Sequence, residues 1–123
     1  MVTTLLYVRP ADLPANLGQP DLEVTTRREV VDGLGRTMRV HSIVLRRVSR
    51  KVEELIDSTP PEEPVQLAGW FRFDTLSDAL DLIYAGYINV GPDEAEDVDD
   101  LLCCWRAQHK LYRVTAPQGQ AED

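Results

Sequence analysis

The sequence has little of what metal sites need. Its 123 residues include two histidines, His41 and His109, and two cysteines, Cys103 and Cys104. Structural zinc sites use ligand pairs spaced by two to four residues at two places in the chain. This chain offers one pair, and its two members are adjacent. We therefore expect no metal and no cofactor.

The arrangement needed for thiol catalysis is also missing. A nucleophilic cysteine needs a base and a third group that orients the base. His109 follows the cysteines by five and six residues, which is off a shared helix face. We expect core or half-buried thiols. A thiol-dependent enzyme, acting through Cys104, stays a remote alternative that a depressed cysteine pKa would support.

Phosphate-binding and hydrolase patterns are absent as well. Gly33-Leu-Gly35 lacks the third glycine and the following helix of a dinucleotide-binding loop, and it is typical of a turn. The acid pairs Glu53-Glu54 and Glu62-Glu63 lie in a predicted helix and in a proline-rich loop, which does not suggest a pocketed carboxylate pair. The sequence therefore favours a protein that is not an enzyme.

No stretch approaches the roughly 20 apolar residues of a membrane span, so we expect no membrane association. The first ten residues lack the basic start and the long apolar run of a signal peptide. Cys103 and Cys104, being adjacent, cannot form an ordinary disulfide with each other. Two neighbouring free thiols fit a reducing compartment, which predicts a cytoplasmic or nuclear location.

The charge is acidic overall but unevenly spread. The formal net charge is -8, which opposes binding to a phosphate backbone, so nucleic acid is not an expected partner. Residues 27–51, here called the basic strip, hold eight basic side chains against two acidic ones. The strip is most simply a solvated helix face. The alternative is a contact with an acidic protein surface or with the acidic segment of a second copy.

The first part of the chain predicts strands. Residues 3–8 are β-prone, and Pro10, Pro14 and Pro20 make residues 9–20 extended or looped. Leu22, Val24 and Thr26 alternate, Val30-Val31 continues the apolar run, and residues 36–40 alternate again after a Gly-bearing loop. This predicts a hairpin with a bulge near Arg27-Arg28, where the alternation breaks.

The middle of the chain predicts helices. Ser42 can cap a helix from Ile43, and Ser49 can cap a second one after a kink. Pro60, Pro61 and Pro64 predict a loop, and residues 65–68 a short edge strand.

The last part of the chain predicts two longer helices. One is capped by Asp74 or Thr75 and ends at Gly86, and Ile88 and Val90 then predict a brief strand. The other starts at Asp93 with six acids in eight residues, which complements the helix dipole. Its expected buried and basic residues extend past residue 110: Val98, Leu101, Leu102, Trp105, Arg106, Lys110, Tyr112 and Arg113.

Three motifs in this order resemble the BTB (POZ) domain family. Val40-His41-Ser-Ile-Val-Leu45 leads to Ser49, Leu76 leads through Leu80 and Ile83 to Tyr84-Ala-Gly86, and Val98-Asp-Asp-Leu101-Leu102 is followed by two small residues. The resemblance covers about residues 21–114. The family has an aspartate at the start of its first strand. At the corresponding position this chain has Arg27, and Asp21 lies six residues too early. The chain also departs from the family at Trp105, where the family has a small residue.

The resemblance implies an α+β, BTB/POZ fold: a small, mainly three-stranded sheet capped by about five short helices. It divides the chain into an N-terminal extended segment (residues 1–20) that could supply a strand for self-association, the BTB/POZ domain (21–114) and a flexible tail (115–123).

The function that this implies is non-catalytic protein interaction: homo-oligomerisation, most simply a homodimer, and docking of a partner or of another BTB protein. The expected self-association interface consists of Leu5, Leu6, Tyr7, Val8, Arg46 and Arg47. An alternative is an adaptor subunit that binds a cullin scaffold in a ubiquitin ligase. The nearest surface for that contact is Val52, Glu53, Glu54 and Ile56.

Overall fold

The computed structural model describes residues 3–7, 16–107 and 111–115. In chain order they form β1 (Thr3–Tyr7), β2 (Leu22–Thr25), α1 (Arg27–Val31), β3 (Met38–Val40), α2 (Ser42–Arg46), α3 (Arg50–Ser58), β4 (Val65–Gln66), α4 (Phe73–Ala85), β5 (Tyr87–Val90), α5 (Pro92–Cys104) and β6 (Leu111–Thr115). The α+β class is confirmed. The strands form two three-stranded sheets, in the orders β3-β2-β4 and β5-β1-β6, rather than one main sheet.

The β3-β2-β4 sheet contains the predicted hairpin. Strand β2 pairs antiparallel with β3, with Leu22 opposite Val40. On its other edge β2 pairs parallel with β4, with Val24 opposite Val65. Strand β4 is therefore an edge strand, as its sequence predicts.

The first strand of the hairpin is shorter than predicted, because residues 27–31 form helix α1. Thr26 caps this helix: its hydroxyl accepts a hydrogen bond from the Glu29 N–H at 3.0 Å. Threonine is a favoured cap because its oxygen satisfies an N–H that lacks a partner in the helix. The predicted bulge at Arg27-Arg28 is therefore the first turn of α1.

Buried Glu29 fastens α1 to the chain that returns toward β3. Its carboxylate accepts hydrogen bonds from the Arg36 backbone N–H at 3.0 Å, from Nε at 3.1 Å and from Nη2 at 2.7 Å. The Arg36 guanidinium also lies over the Phe73 ring, 5.0 Å from its centroid. These hydrogen bonds hold the pKa of Glu29 below its ordinary value, so the carboxyl group stays charged although it is buried.

Helices α2 and α3 are the two short helices that the sequence predicts on either side of a kink. Ser49 caps α3, and its Oγ accepts from the Val52 N–H at 3.1 Å. At α2 the prediction was wrong by one residue, since Ser42 is the first helical residue and His41 precedes it. The cap comes from a distant residue: Asp21 Oδ1 accepts from the Ser42 N–H at 2.7 Å.

Helix α4 ends at Gly86, which has the predicted left-handed conformation (φ 92°). Its N-terminus is two or three residues earlier than predicted, with Arg72 preceding the first helical residue and no side chain capping it. Leu76, Ala79, Leu80 and Ile83 are buried, as expected, and Tyr84 is half-buried.

Helix α5 ends much earlier than the sequence predicts. It stops at Cys104, and Arg106 adopts a left-handed backbone (φ 54°). The Arg106 N–H then bonds the Cys103 carbonyl at 3.0 Å and the Ala107 N–H bonds the Leu102 carbonyl at 3.3 Å. This is a Schellman motif. Tyr112 and Arg113 consequently belong to β6 and not to the helix, while His109 and Lys110 lie outside the described residues.

The hydrophobic core lies between the β3-β2-β4 sheet and helices α2–α5. Its largest fully buried side chains come from all of these elements: Val24, Leu45, Val52, Val65, Leu76, Leu80, Leu82, Ile83, Leu101, Leu102 and Trp105. Within the described ranges, no helix combines the length and the apolar content needed to cross a bilayer.

The β5-β1-β6 sheet joins the two ends of the chain. Strand β1 is central and pairs antiparallel with both neighbours: Leu5 lies opposite Ile88 of β5 and opposite Arg113 of β6. This sheet lies against helices α4 and α5. Strand β1 thus has both of its hydrogen-bonding edges occupied within its own chain.

Candidate interaction surfaces

The cysteines are not arranged for catalysis. Cys103 and Cys104 are both free and exposed, although buried or half-buried thiols were expected. Partial burial, and then the carboxylates of Asp99 and Asp100, raise the pKa of the Cys103 thiol. A raised pKa disfavours the nucleophilic thiolate. Their proposed base, His109, lies outside the described residues.

A serine, a histidine and an aspartate do meet, at the start of α2. Asp21 Oδ2 accepts from Ser42 Oγ at 2.6 Å. The two nitrogens of the His41 ring are used elsewhere: Nε2 lies 3.0 Å from the Gly18 carbonyl and Nδ1 lies 2.9 Å from the Tyr84 hydroxyl. Because a serine nucleophile needs its hydroxyl on the histidine, this group is not a catalytic triad.

This group instead fastens residues 18–21 to the helices. A carbonyl only accepts, so Nε2 of His41 donates to Gly18, and Nδ1 shares a hydrogen bond with the Tyr84 hydroxyl. The same hydroxyl accepts from the His41 backbone N–H at 2.8 Å. Hydrogen bonds from the side chain and backbone of Ser42 hold the pKa of Asp21 below its ordinary value. We call these residues, Gly18, Asp21, His41, Ser42 and Tyr84, the His41 clasp.

Sequence reasoning missed the clasp, because it named His41 only within a motif and assigned no partner to Asp21. The signal was the hairpin register: with Leu22 opposite Val40, Asp21 comes beside His41 and Ser42.

Acidic side chains gather between the N-termini of α4 and α5. Asp74, Asp78, Asp93, Glu94 and Asp97 line a shared depression. Desolvation, and then Asp81, Asp74 and Glu94, raise the pKa of Asp78. Across the residues that the structure describes, no group of three or more His, Cys, Asp or Glu side chains is placed to hold a metal ion.

The basic strip is engaged with its own chain. Arg28, Arg36, Arg46 and Arg50 form ion pairs with Asp32, Glu29, Asp57 and Glu54, and Arg46 also lies 3.5 Å from Glu53. Arg39 bonds the Pro20 carbonyl, Lys51 bonds the Cys104 carbonyl, and Arg27 lies over the Trp70 ring. The strip is largely paired within the chain, but it is not the single solvated helix face that was predicted, because Arg36 precedes β3 and Arg39 lies in it.

The predicted self-association residues fall in two places. Leu5, Leu6 and Tyr7 are in β1, whose neighbours are β5, β6, α4 and α5, and Val8 lies outside the described residues. Arg46 bonds Asp57 of α3 at 2.7 Å, which holds the pKa of Asp57 below its ordinary value. Arg47 is exposed at the end of α2. Both edges of β1 are paired, so β1 cannot extend the sheet of a second chain at its edge. Self-association through β1 therefore requires that two chains exchange their β1 strands.

The predicted cullin-docking residues divide by burial. Val52 and Ile56 are 0% and 8% exposed because they form the apolar stripe of α3 that faces the core. Glu53 is half-buried and Glu54 is exposed. A partner at this surface therefore meets the two carboxylates and not the two apolar side chains, and the cullin interaction stays a prediction.

A further surface was not anticipated from the sequence. Trp70, at 59% exposed, stands beside an apolar groove with a volume of about 580 Å³. We call it the Trp70 groove, lined mainly by Leu55, Leu67, Trp70, Phe71, Leu101 and Trp105. The available signal was the adjacent aromatic pair Trp70-Phe71 in the loop before α4.

Comparison of the chain with family models, with curated proteins and with solved structures gives no match.

Proposed function

We propose that this chain is a non-catalytic protein-interaction module that self-associates and docks a partner, in the manner of the BTB/POZ domains that its motifs resemble. The observation that carries the proposal is the position of β1. It is a short N-terminal strand at the centre of a sheet whose other members come from the far half of the chain.

Exchange of such a strand is a low-cost route to a dimer. When identical elements trade places between two copies, each copy keeps the hydrogen bonds and packing of the original fold. Strand β1 contributes five residues and is separated from β2 by fourteen, with three prolines among residues 8–21. We propose that β1 of one copy takes the place between β5 and β6 of the second, and that this forms the homodimer.

An engineered disulfide tests the exchange directly. Thr4 lies opposite Asn89, and its hydroxyl bonds the Asn89 side chain. We would replace both residues with cysteine, together with Cys103→Ser and Cys104→Ser, and oxidise the protein at several concentrations. Exchanged strands give a covalent dimer on a non-reducing gel. A cross-linked monomer at every concentration would contradict the exchange.

Two controls make the result specific. The Thr4→Cys single variant, with Cys103→Ser and Cys104→Ser, measures how much covalent dimer forms from random contact between copies. A Leu6→Cys/Tyr87→Cys variant joins another opposed pair of the same register. If exchange occurs, both paired variants give the dimer, and the single variant gives much less.

A further inference from the structure

The Trp70 groove is open and apolar, and it is set between three elements. Lys51 and Leu55 come from α3, residues 66–71 from β4 and the following loop, and Leu101, Cys104 and Trp105 from the end of α5. Trp70 remains 59% exposed at its side, and Phe71 is half-buried. Exposed tryptophan beside a groove is a common anchor in protein interfaces, where tryptophan is enriched among the residues that dominate affinity.

Hydrogen bonds fix the floor of the groove. The buried Trp105 ring donates from Nε1 to the Leu67 carbonyl at 2.7 Å. The Leu67 N–H bonds the Thr25 carbonyl at 3.0 Å, and the Phe71 N–H bonds the Ala68 carbonyl at 2.9 Å. A partner therefore meets a surface whose backbone is already ordered, which lowers the entropy cost of binding.

Trp70 is itself held from the side of α1. The Arg27 guanidinium lies 5.6 Å from the centroid of the Trp70 ring, within the range of a cation–π contact. The Arg28 N–H bonds the carbonyl of Gly69, the residue before Trp70, at 3.1 Å. Helix α1 thus supports the tryptophan without covering it.

One end of the groove is basic. Lys51 lines it and also lines a neighbouring depression, where it is joined by Arg46, Arg47, Arg50 and Arg106 against Glu53 and Glu54. Lys51 Nζ bonds the Cys104 carbonyl at 2.8 Å, so the ammonium is held at the rim. Arg46 and Arg50 are paired with Asp57, Glu53 and Glu54, and the five basic side chains still outnumber these three carboxylates in a chain whose formal net charge is -8.

The C-terminal residues of the chain do not suit the groove. Residues 116–123 read Ala-Pro-Gln-Gly-Gln-Ala-Glu-Asp and carry no large apolar side chain to fill an apolar volume of this size. A segment that fits both the apolar lining and the basic end carries large apolar side chains together with acidic ones.

We propose that the Trp70 groove docks a partner-protein segment that carries two or three large apolar side chains next to Asp or Glu residues. The apolar side chains pack against Trp70, Leu55 and the Trp105 floor, and the carboxylates face Lys51. Charge complementarity of this kind fixes orientation and speeds association. This inference rests on the proposed partner-docking function and gives it a specific partner chemistry.

Selection from random peptides tests the proposal without a known partner. The full chain, immobilised through a terminal tag, would be used to select peptides from a phage-displayed library, and enriched peptides would be synthesised and titrated by fluorescence anisotropy. We expect enriched peptides that combine large apolar residues with Asp or Glu. Selection of basic or purely polar peptides, or no enrichment, would overturn the proposal.

Matched substitutions locate the binding. Trp70→Ala is expected to weaken the selected peptides about tenfold or more, as loss of an interface anchor does. Leu34→Ala is the control, since Leu34 is equally exposed at 58% but lies in the loop after α1. Equal affinity of the Trp70→Ala variant and the parent would contradict the assignment.

Charge and protection provide independent readouts. Lys51→Glu should weaken acidic peptides and reduce the salt dependence of their binding. In a Cys103→Ser variant, bound peptide should slow alkylation of Cys104, which lines the groove. Unchanged salt dependence and unprotected Cys104 would place the peptide elsewhere.

The Trp70→Ala variant leaves β1 untouched, so it should retain the parent's mass in solution. Failure of peptide docking is therefore distinguishable from failure of self-association.

Discussion

The two sheets of this protein are built in different ways. The β3-β2-β4 sheet comes from residues 22–66, and its inward residues Val24, Val40 and Val65 are 0%, 3% and 2% exposed. The β5-β1-β6 sheet brings together residues 3–7, 87–90 and 111–115. The first sheet belongs to the core of one chain. The second depends on a terminal strand, which an identical chain could supply equally well.

Under the proposed strand exchange, this difference separates the stability of one copy from the association of two. Changes in the β3-β2-β4 sheet and its helices should alter the free energy of unfolding of a single copy. Changes in β1 should alter the mass in solution. The following predictions start with the largest expected effect on unfolding.

Leu45→Ala should be the most destabilising of the changes considered. Leu45 is 0% exposed in the core beside the β3-β2-β4 sheet, and truncation of a buried leucine costs about 2–5 kcal/mol through lost transfer energy and an unfilled cavity. Urea unfolding would measure the change. Ile43→Ala in the same helix is the control, because Ile43 is 39% exposed. Equal losses for the two variants would show that the assigned face of α2 is wrong.

The Glu29–Arg36 pair should make stability depend on acid pH. The folded-state pKa of Glu29 is lowered, mainly by its hydrogen bonds from Arg36. A carboxyl group of lowered pKa contributes stability above its unfolded pKa, near 4.3, and loses that contribution as the pH falls through the folded value.

Glu29→Gln isolates this contribution. We expect the variant to be less stable than the parent at pH 7 and the gap to narrow below about pH 4. Urea unfolding at several pH values would measure it, with Glu54→Gln as the exposed control, since Glu54 is 69% exposed in its pair with Arg50. A gap that stays constant from pH 7 to pH 3 would contradict the role assigned to Glu29.

Ser49→Ala should have a smaller effect, about 1 kcal/mol, as expected for loss of an N-cap. The hydroxyl accepts from the Val52 N–H and donates to the Trp105 carbonyl at 2.6 Å. Ser58→Ala, at the other end of α3, removes an exposed hydroxyl and should change stability by no more than about 0.5 kcal/mol. Equivalent melting curves for the two variants would contradict the capping role of Ser49.

None of these three changes should alter the association state at a pH where the variants are folded. Each residue lies outside the β5-β1-β6 sheet. Light scattering on each variant would check this. A monomeric Ser49→Ala variant beside a dimeric parent would show that the two regions are not separable.

The sequence predicted the elements whose signals are local. Ser49 as a cap, Gly86 as a helix stop and the edge position of β4 all follow from residue types at fixed offsets. Helix α1 was missed although Thr26-x-x-Glu29 is a recognised start signal, because the alternating apolar residues around it favoured a strand. The end of α5 was missed because arginine, and not glycine, adopts the left-handed position after the helix.

The rest depends on contacts between distant residues. No local sequence pattern specifies that β1 pairs with β5 and β6. The His41 clasp joins residues 18 and 84, and the Trp70 groove needs three elements to meet. Of the predicted interaction residues, Val52 and Ile56 proved buried because the apolar periodicity that marks a helix face also marks its core side.

The most direct test of the account is the mass in solution, measured by light scattering over a range of concentrations, with and without residues 1–9. We predict a mass near twice 13.9 kDa for the full chain and a monomer for the truncated one. A monomer at all concentrations for the full chain would contradict self-association, and a dimer that survives the truncation would contradict the role of β1 in it.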